Sequence, residues 1–383
     1  MRIGIDAHSI GSGQSGNETY YRSLLQALDD AGDEHEYVVY GTNESAIAAL
    51  QLDRQRFWIS QVRPTTPYAR IPFAMPLKVH RDRLDVFHAQ FIIPPFLKCR
   101  TVTTIPDIAF EHYPEFFPAY HVAWSKKLVP WSARHADHVI TVSEYSKMDL
   151  VNRYGINPDK ITVTYEAAEK EYCPRDRELA REYIAQRYRI EKPFILYVGR
   201  IQARKNLTRL VEAFGQIRRA GFEHHLVLVG RSEWNRELLS ARIVELGLSR
   251  DVVITGYVPK KDLPWFYNAA DVFAYPSFFE GFGLPVMEAM ACGTPVITSA
   301  GSSLEEIAGN AALIVDPVDV TTIRAALEEL LGDRDLRQEL GHLGIRRSSE
   351  FHTSRMALRT IEVYRKAGGL ENCTKPVADA VSV

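Results

Sequence analysis

Short apolar segments alternate with amphipathic segments along most of the chain, and this alternation sets the fold class. Several apolar segments lack strict polar alternation, as expected of strands covered by helices on both faces of a sheet. Regular alternation of such strands with helices predicts doubly wound parallel sheets. The first series of predicted strands is Arg2–Ala7, Tyr37–Tyr40, Phe57–Val62, Asp85–Ala89, Val102–Ile105, His138–Val142 and Ile161–Tyr165.

A charged segment, Glu166 to Lys192, follows this series and is poor in β-branched residues. We interpret it as an interdomain connection with a helix near Glu178–Tyr188. Because 383 residues are too many for one ordinary core, we expect two sheet domains. Ligands of such sheets collect at the carboxyl ends of strands, so two facing domains would leave a binding cleft. The second series of predicted strands is Phe194–Val198, His225–Val229, Val252–Thr255, Val272–Tyr275 and Pro295–Thr298.

Beyond Asp316 the pattern is mainly helical. The tail Glu371–Val383 is polar and rich in small residues, which predicts disorder. The predicted helices of this region are Val320–Leu331, Asp333–Phe351 and Ser354–Lys366.

Bulk composition excludes several classes of protein. The net charge of −2 implies no general affinity for nucleic acid. No apolar run of signal-peptide or membrane-span length is present, so we expect a cytoplasmic protein. The cysteines form no C-x-x-C pair, and reduced thiols account for them most simply. They are Cys99, Cys173, Cys292 and Cys373.

The stretch Tyr275–Ile297 predicts a strand, a glycine turn and a helix start, with carboxylates at Glu280 and Glu288. Free backbone N–H groups at a helix start attract phosphate, and carboxylates accept hydrogen bonds from sugar or ribose hydroxyls. This combination suits a sugar nucleotide. The alternative interpretation is a buried helix start with Glu280 as its N-terminal cap.

Two further strand ends carry residues suited to a phosphate ligand. In VGRIQARKN, Arg200 and Lys205 follow a strand and precede a helix, where they could hold a diphosphate. Arg204 could equally be solvated, and the whole motif could be an exposed basic loop. After Asp6 the chain continues into a glycine-rich turn that does not match G-x-G-x-x-G, and a flexible surface turn is the alternative. The glycines of this turn are Gly11, Gly13 and Gly16.

His88, Asp107 and His112 are weaker candidates at or after strand ends, and His88 is expected to face the cleft. Each could position a sugar hydroxyl or a leaving group, although a lone histidine more often satisfies local hydrogen bonds. Metal binding finds little support, because the Asp333-Arg-Asp335 sequence is better explained by capping of a helix. No hydrolase motif such as G-x-S-x-G is present.

Taken together, these stretches resemble the family 4 retaining glycosyltransferases of GT-B architecture. The resemblance covers nearly the whole chain, and the Glu280 and Glu288 spacing together with the Arg200 and Lys205 pair makes it specific. It implies two Rossmann-like domains facing across a cleft, residues 1–170 and 190–350. It also implies that the C-terminal helix, residues 354–370, crosses back to the N-terminal domain, followed by the tail 371–383.

The resemblance also implies roles for site residues. Arg200 and Lys205 would stabilise the donor diphosphate, Glu280 would hold the transferred sugar, and Glu288 would hold the ribose hydroxyls. The turn Gly13–Gly16 would close over the phosphate from the other domain. The backbone N–H groups expected to contact the sugar are those of Gly281, Phe282, Gly283 and Leu284.

One position departs from the family pattern. Many relatives carry His-Asp where this chain has Pro106-Asp107, and a proline side chain cannot replace a histidine that contacts the donor sugar. His88, Asp107 or His112 could compensate. The departure is also the only support for a non-catalytic sugar-nucleotide-binding protein.

Family resemblance implies transfer of a hexose with retention of configuration, without a cofactor or an obligatory metal. The segments IPDIAFEHYPEFFP and DVFHAQF most resemble mannosyltransferases of bacterial polysaccharide pathways, so GDP-mannose is the preferred donor and UDP-sugars are the alternative. The acceptor would be a hydroxyl of a glycan, a glycolipid or a small molecule. A nucleotide-sugar epimerase or hydrolase of the same plan is the competing enzyme class.

The segment His121–His135 carries tryptophans and cations and resembles the membrane-facing region of enzymes that use lipid-linked acceptors. We hypothesise that it contacts an anionic membrane or a lipid-linked acceptor, and a membrane contact would place the protein at the inner face of that membrane. Pro130 is expected to interrupt this helix. A buried helix with a solvated edge, around Lys126 and Lys127, is the alternative.

Overall fold

The structure is a computed structural model that describes residues 1–13, 15–231 and 236–370. The tail that we predict to be disordered, Glu371–Val383, lies outside the described residues, as does Gln14 in the glycine-rich turn. The strands are β1 Arg2–Asp6, β2 Glu36–Gly41, β3 Phe57–Gln61, β4 Val86–Gln90, β5 Arg100–Thr104, β6 His138–Thr141, β7 Ile161–Val163, β8 Phe194–Val198, β9 His225–Val229, β10 Val252–Gly256, β11 Val272–Tyr275, β12 Val296–Ser299 and β13 Ala312–Val315.

These strands form two sheets in which every recorded pairing is parallel. The N-terminal sheet has the order β3-β2-β1-β4-β5-β6-β7, and the C-terminal sheet has the order β10-β9-β8-β11-β12-β13. In each sheet the chain starts at a central strand, moves to one edge and then returns to build the other side. The predicted doubly wound topology is therefore confirmed for both domains.

The helices cover the faces of the two sheets. They are α1 Ser15–Ala31, α2 Glu44–Ala48, α3 Pro67–Ala69, α4 Met75–Asp82, α5 Ala109–His112, α6 Ala119–His135, α7 Glu144–Tyr154, α8 Arg177–Tyr188, α9 Leu207–Arg219, α10 Arg236–Glu245, α11 Leu263–Ala269, α12 Leu284–Ala291, α13 Ser303–Ala308, α14 Val320–Gly332, α15 Arg334–Ser348 and α16 Thr353–Ala367. A π-helical turn, Arg70–Ala74, joins α3 to α4.

Every strand predicted from the sequence occurs, with its ends within two residues of the prediction. The strand that the prediction lacks is β13, at the edge of the C-terminal sheet. Its four residues are all apolar, and such a short run cannot be distinguished from a helix by periodicity. Pro130 lies inside α6 without ending it, so the predicted interruption is wrong. A proline removes one backbone donor, and the remaining hydrogen bonds can carry a helix past it.

The C-terminal helix α16 returns to the N-terminal domain, as the resemblance implies. Its buried residues include Met356, Ile361 and Tyr364, which belong to the same apolar cluster as Ile3 of β1. That cluster also contains Phe282 from the C-terminal domain. The two domains therefore share apolar contacts as well as a chain connection.

Candidate active site

The glycine turn after β11 forms as the sequence predicts. Gly283 precedes α12 with a φ of 103°, and a Cβ at this position would lie 2.4 Å from Leu304 Cδ2. Both the left-handed backbone and the lack of space require glycine here. No side chain caps α12, so the alternative interpretation of Glu280 as its N-terminal cap is wrong.

Glu280 lies at the centre of a buried charge network. Its Oε1 accepts hydrogen bonds from Lys205 Nζ at 2.5 Å and from Ser277 Oγ at 2.6 Å. Its Oε2 lies 3.0 Å from Arg204 NH1. Burial alone would raise the pKa of Glu280, but the charges of Arg204 and Lys205 outweigh burial and lower that pKa to about 2. Glu280 is therefore ionised at any physiological pH.

Burial opposes the charge of both cations in this network, but Glu280 outweighs burial only for Arg204, whose pKa is raised. Burial lowers the pKa of Lys205 to about 8, although Glu280 opposes that shift. Lys205 Nζ also donates to the hydroxyl of Tyr275 at 2.6 Å. Arg204 donates to the carbonyl oxygen of Phe279 and has its side chain 16% exposed. The alternative of a solvated Arg204 is therefore wrong, because its guanidinium is paired with the Glu280 carboxylate inside the turn.

Arg200 connects the two domains. Its NH2 group donates to the carbonyl oxygen of Gly13 in the N-terminal domain. The preceding residue, Gly199, has a φ of 150°, and a Cβ there would lie 2.8 Å from the hydroxyl oxygen of Tyr197. The strand end thus turns sharply and carries Arg200 to the opposite domain.

The glycine-rich turn of the N-terminal domain presents its N–H groups to a carboxylate. Gly11 N donates to Glu18 Oε1 at 2.9 Å, and Gly13 N donates to Glu18 Oε2 at 3.1 Å. Gly16 lies in the first turn of α1 rather than before the helix. Two converging backbone N–H groups that hold a carboxylate are suited to an anion, which is compatible with the predicted contact to phosphate.

Asp107 and Gly281 meet at the domain interface. A Cβ on Gly281 would lie 2.6 Å from the carbonyl oxygen of Pro106 and 2.9 Å from Asp107 Cβ. The carbonyl oxygen of Gly281 accepts a hydrogen bond from Ser143 Oγ at 2.7 Å. Asp107 acts electrostatically on both Arg204 and Lys205. The structure therefore brings Asp107, but not a histidine, to the charge network.

Glu288 lies one turn inside α12 in surroundings unlike those of Glu280. Its Oε2 accepts a hydrogen bond from the hydroxyl of Tyr267 at 2.6 Å. Burial raises the pKa of Glu288 to about 7 and outweighs the opposing effects of the Tyr267 hydrogen bond and the Lys260 charge. Burial and the nearby Glu288 raise the pKa of Glu166 to about 8. Sequence reasoning placed Glu166 only at the start of the interdomain connection.

The structure separates the two candidate histidines from the charge network. His88 is fully buried, with Nδ1 2.7 Å from the hydroxyl of Tyr364 and Nε2 2.6 Å from Thr104 Oγ1. Burial lowers its pKa to about 3. The expectation that His88 faces the cleft is wrong, because α16 covers it. His112 stacks on Phe279 with ring centroids 4.9 Å apart, at the edge of the domain interface.

Metal ligands do not cluster in the described part of the chain. In residues 1–13, 15–231 and 236–370, no group of three or more His, Cys, Asp or Glu side chains is placed to hold a metal ion. Asp333 caps α15 by accepting a hydrogen bond from Leu336 N at 2.9 Å, as the sequence indicates. Across the same described ranges, no helix is both long and apolar enough to cross a membrane.

Two facing parallel-sheet domains with charged groups at the carboxyl ends of their strands define the GT-B class of glycosyltransferase. Known proteins agree with this assignment. A family model described as Glycosyltransferase Family 4 matches residues 14–171, and one described as Glycosyl transferases group 1 matches residues 181–347. The chain belongs to the family 4 glycosyltransferases. It is an enzyme that transfers a hexose, as the sequence predicts.

Individual relatives support the family assignment. The chain is 34% identical over 290 residues to the O-antigen chain mannosyltransferase B of Escherichia coli, covering 74% of this chain and 75% of that protein. Its fold matches the sucrose-phosphate synthase of Thermosynechococcus elongatus with a TM-score of 0.80 at 21% identity, over 97% of this chain and 100% of the other. Anabaena HepE in complex with UDP-glucose matches with a TM-score of 0.76 at 18% identity, over 94% and 98%.

Proposed function

We propose that this enzyme moves a mannosyl group from GDP-mannose to a hydroxyl of a glycan or glycolipid, with retention of configuration and without an obligatory metal. The observation that carries the proposal is the Glu280 network, in which Arg204 and Lys205 are buried beside an ionised carboxylate. The mannosyl donor is supported by the O-antigen mannosyltransferase relative. A UDP-sugar is the second candidate donor, because the similarly folded HepE binds UDP-glucose.

In the proposed reaction, the bond between the anomeric carbon of mannose and the diphosphate oxygen breaks, and its electron pair leaves with the diphosphate. The acceptor oxygen forms the new bond on the same face of the sugar, and its proton passes to the departing diphosphate oxygen. Lys205 and Arg200 stabilise the negative charge that develops on this oxygen. Glu280 orients the sugar and Lys205. It is not assigned as a nucleophile, because Lys205, Ser277 and Arg204 already engage both its oxygens.

A thermal-shift screen with GDP, UDP, ADP and their sugars tests the donor. A ligand at one hundred times its Kd stabilises the folded protein by about 2.7 kcal/mol. We expect the largest rise in Tm with GDP and GDP-mannose. A larger rise with UDP-sugars would contradict the GDP assignment and support the second candidate.

A transfer assay with a panel of methyl hexosides tests the reaction. We expect donor consumption to rise with acceptor and the product to carry the α configuration of the donor, as measured by anomeric proton NMR. Activity that persists in excess EDTA would support metal independence. Donor turnover that yields free sugar or an epimer, unaffected by any acceptor, would instead support the hydrolase or epimerase alternative.

We also propose that the N-terminal domain docks on an anionic membrane through an aromatic surface. This surface consists of the exposed side chains Tyr68, Phe73, Leu77, Tyr120, Trp124 and Trp131. The residues from α6 recur at helical spacing on one face, and the ring of Tyr68 contacts that of Trp124 with centroids 5.1 Å apart. Exposed Lys126 and Lys127 on α6 add positive charge beside it, which suits anionic headgroups.

Liposome co-sedimentation tests this contact with a matched pair of variants. Phe73→Ala with Leu77→Ala removes side chains that are 68% and 73% exposed, and we expect binding to phosphatidylglycerol vesicles to fall. The control, Leu179→Ala with Leu238→Ala, removes leucines of the other domain that are 59% and 67% exposed, and should bind normally. Equal binding by both variants would contradict membrane docking by this surface.

A further inference from the structure

His8 lies just beyond the carboxyl end of β1, a central strand of the N-terminal sheet, and the glycine-rich turn follows it. Its Nδ1 is 3.0 Å from Asp6 Oδ1, and its backbone N–H donates to the same oxygen at 3.3 Å. The carbonyl oxygen of His8 accepts a hydrogen bond from Thr42 Oγ1 at 3.1 Å. Backbone and side chain are therefore both anchored, and the imidazole has one fixed orientation.

Asp6 is itself held by a buried arginine. Arg70 NH1, from the turn between α3 and α4, donates to Asp6 Oδ1 at 2.9 Å and to Oδ2 at 3.1 Å. Arg70 is 3% exposed, and its Nε has no hydrogen-bond partner among the described residues. A charged group this deeply buried is normally fully paired. This part of the site thus retains unused hydrogen-bonding capacity.

A comparison of three histidines in this domain singles out His8. Both ring nitrogens of His88 are engaged, by Tyr364 and Thr104. Both ring nitrogens of His112 are also engaged, by Asp149 at 2.7 Å and Arg153 at 3.4 Å. The Nε2 of His8 makes no hydrogen bond within the described ranges, and its side chain is 23% exposed. The Asp6 carboxylate can only accept hydrogen bonds, so Nδ1 carries the proton that lies between them, and Nε2 is the ring nitrogen left to bind a ligand.

The turn that follows His8 contacts the proposed donor site of the other domain. This turn leads to Gly13, whose carbonyl oxygen accepts from Arg200 of the opposite domain. The carboxyl end of β1 and the Glu280 network therefore lie on facing domains linked by this contact. A sugar acceptor between them would meet the donor on one side and His8 on the other.

We propose that His8, anchored by Asp6 and Arg70, binds the acceptor through a hydroxyl adjacent to the one that reacts. Nε2 forms a hydrogen bond with this neighbouring hydroxyl, and the reacting hydroxyl still releases its proton to the diphosphate. The enzyme therefore selects acceptors with two adjacent hydroxyls, as in an unsubstituted sugar ring. This inference rests on the proposed transferase function and adds the recognition of the acceptor to it.

The test compares His8→Ala with the wild-type enzyme on the preferred methyl hexoside and its monodeoxy derivatives. For the parent acceptor, we expect kcat/KM of the variant to fall by about tenfold to a hundredfold, mainly through KM. With the wild-type enzyme, one deoxy derivative should have a kcat/KM lower than that of the parent acceptor by a similar factor. In His8→Ala, replacing the parent acceptor with that same derivative should lower kcat/KM little further, because the hydroxyl and the imidazole act as one pair. His342→Ala, on an exposed histidine of α15, is the control and should behave as the wild type.

Two results would overturn the assignment. Full additivity between His8→Ala and every deoxy derivative would show that His8 contacts no acceptor hydroxyl. A lost thermal shift with GDP in a folded His8→Ala protein would place His8 on the donor side. Failure of the transferase proposal is distinguishable from both, because the wild type itself would then show no acceptor-dependent turnover.

Discussion

Asp6 in the N-terminal domain and Glu280 in the C-terminal domain are buried, ionised carboxylates near the carboxyl ends of central strands, but their surroundings differ. In both cases burial opposes ionisation and neighbouring cations outweigh it, so that the pKa is lowered to about 2. Glu280 is engaged by Lys205, Ser277 and Arg204. Asp6 is engaged by Arg70 and by His8, whose Nε2 has no partner among the described residues.

This difference suggests a division of labour within the cleft. The C-terminal network contains two cations, Arg204 and Lys205, and buried cations suit the negative charge of a diphosphate. The N-terminal network ends in a nitrogen that can form one more hydrogen bond, which suits an uncharged hydroxyl. Four predictions, from the largest expected effect to the smallest, test this contrast.

Lys205→Ala and Glu280→Ala each remove one member of the buried ion pair in the proposed donor site. We expect each to lower turnover about a thousandfold while the fold persists, because charge stabilisation in a dry site contributes several kcal/mol. Steady-state kinetics with the preferred donor measure the loss. The control is Arg324→Ala, which removes a partly exposed ion pair with Glu328 on α14 and should leave turnover unchanged. Near-wild-type activity in both site variants would refute the assignment of this network.

Arg70→Met removes the buried arginine that holds Asp6 in the proposed acceptor site. It leaves the Asp6 carboxylate buried with His8 as its remaining partner, and we expect the free energy of unfolding to fall by about 3–5 kcal/mol. Urea titration measures this change. Addition of Asp6→Asn should recover part of it, because no unpaired charge is then buried. Arg100→Met, which removes an arginine 66% exposed in its pair with Asp137, should change stability by less than about 1 kcal/mol. Equal losses in the free energy of unfolding from Arg70→Met and Arg100→Met would contradict the assignment of Arg70 and Asp6 as a buried ion pair.

Glu288→Gln tests the difference between the two glutamates of the proposed donor side. The pKa of Glu280 is lowered by its cations, whereas the pKa of Glu288 is raised by burial. Folding raises the pKa of this carboxyl from 4.5 to about 7 through burial, so its contribution to stability is present below pH 4.5 and is lost as pH rises through 7. We expect the variant to be more stable than the wild type by about 3 kcal/mol at pH 8 and nearly equal to it at pH 4. Thermal unfolding across this range measures the difference. A variant that is less stable at pH 8 would contradict the neutral state of Glu288.

Gly281→Ala perturbs the contact between the two sides. Its Cβ would lie 2.6 Å from the Pro106 carbonyl oxygen, and we expect a loss of about 1–3 kcal/mol in stability together with reduced turnover. Gly332→Ala is the control, because a Cβ at the end of α14 meets no atom within 4 Å. That variant should be neutral or slightly stabilised. An equally tolerated Gly281→Ala would show that the interface adapts at little cost.

Much of the Glu280 network, which we propose as the donor side, could be predicted from the sequence, because its parts are local. Glu280 and the glycines of its turn lie within one strand-turn-helix motif, and Lys205 lies in another. Arg204 is in the same motif as Lys205, yet a sequence cannot tell a buried guanidinium from a solvated one. The acceptor side was not predicted, because Asp6 and Arg70 are 64 residues apart.

The sequence by itself determined the two alternating series, the position of the connection between them and the glycine turns. These features depend on periodicity and on backbone conformations that neighbouring residues dictate. The tertiary structure decided which polar side chains meet. It covered His88 with α16, placed Pro106 against Gly281 and left one nitrogen of His8 without a partner in the described chain. Such contacts join distant residues, and only the packing of whole helices on the sheets brings them within hydrogen-bonding distance.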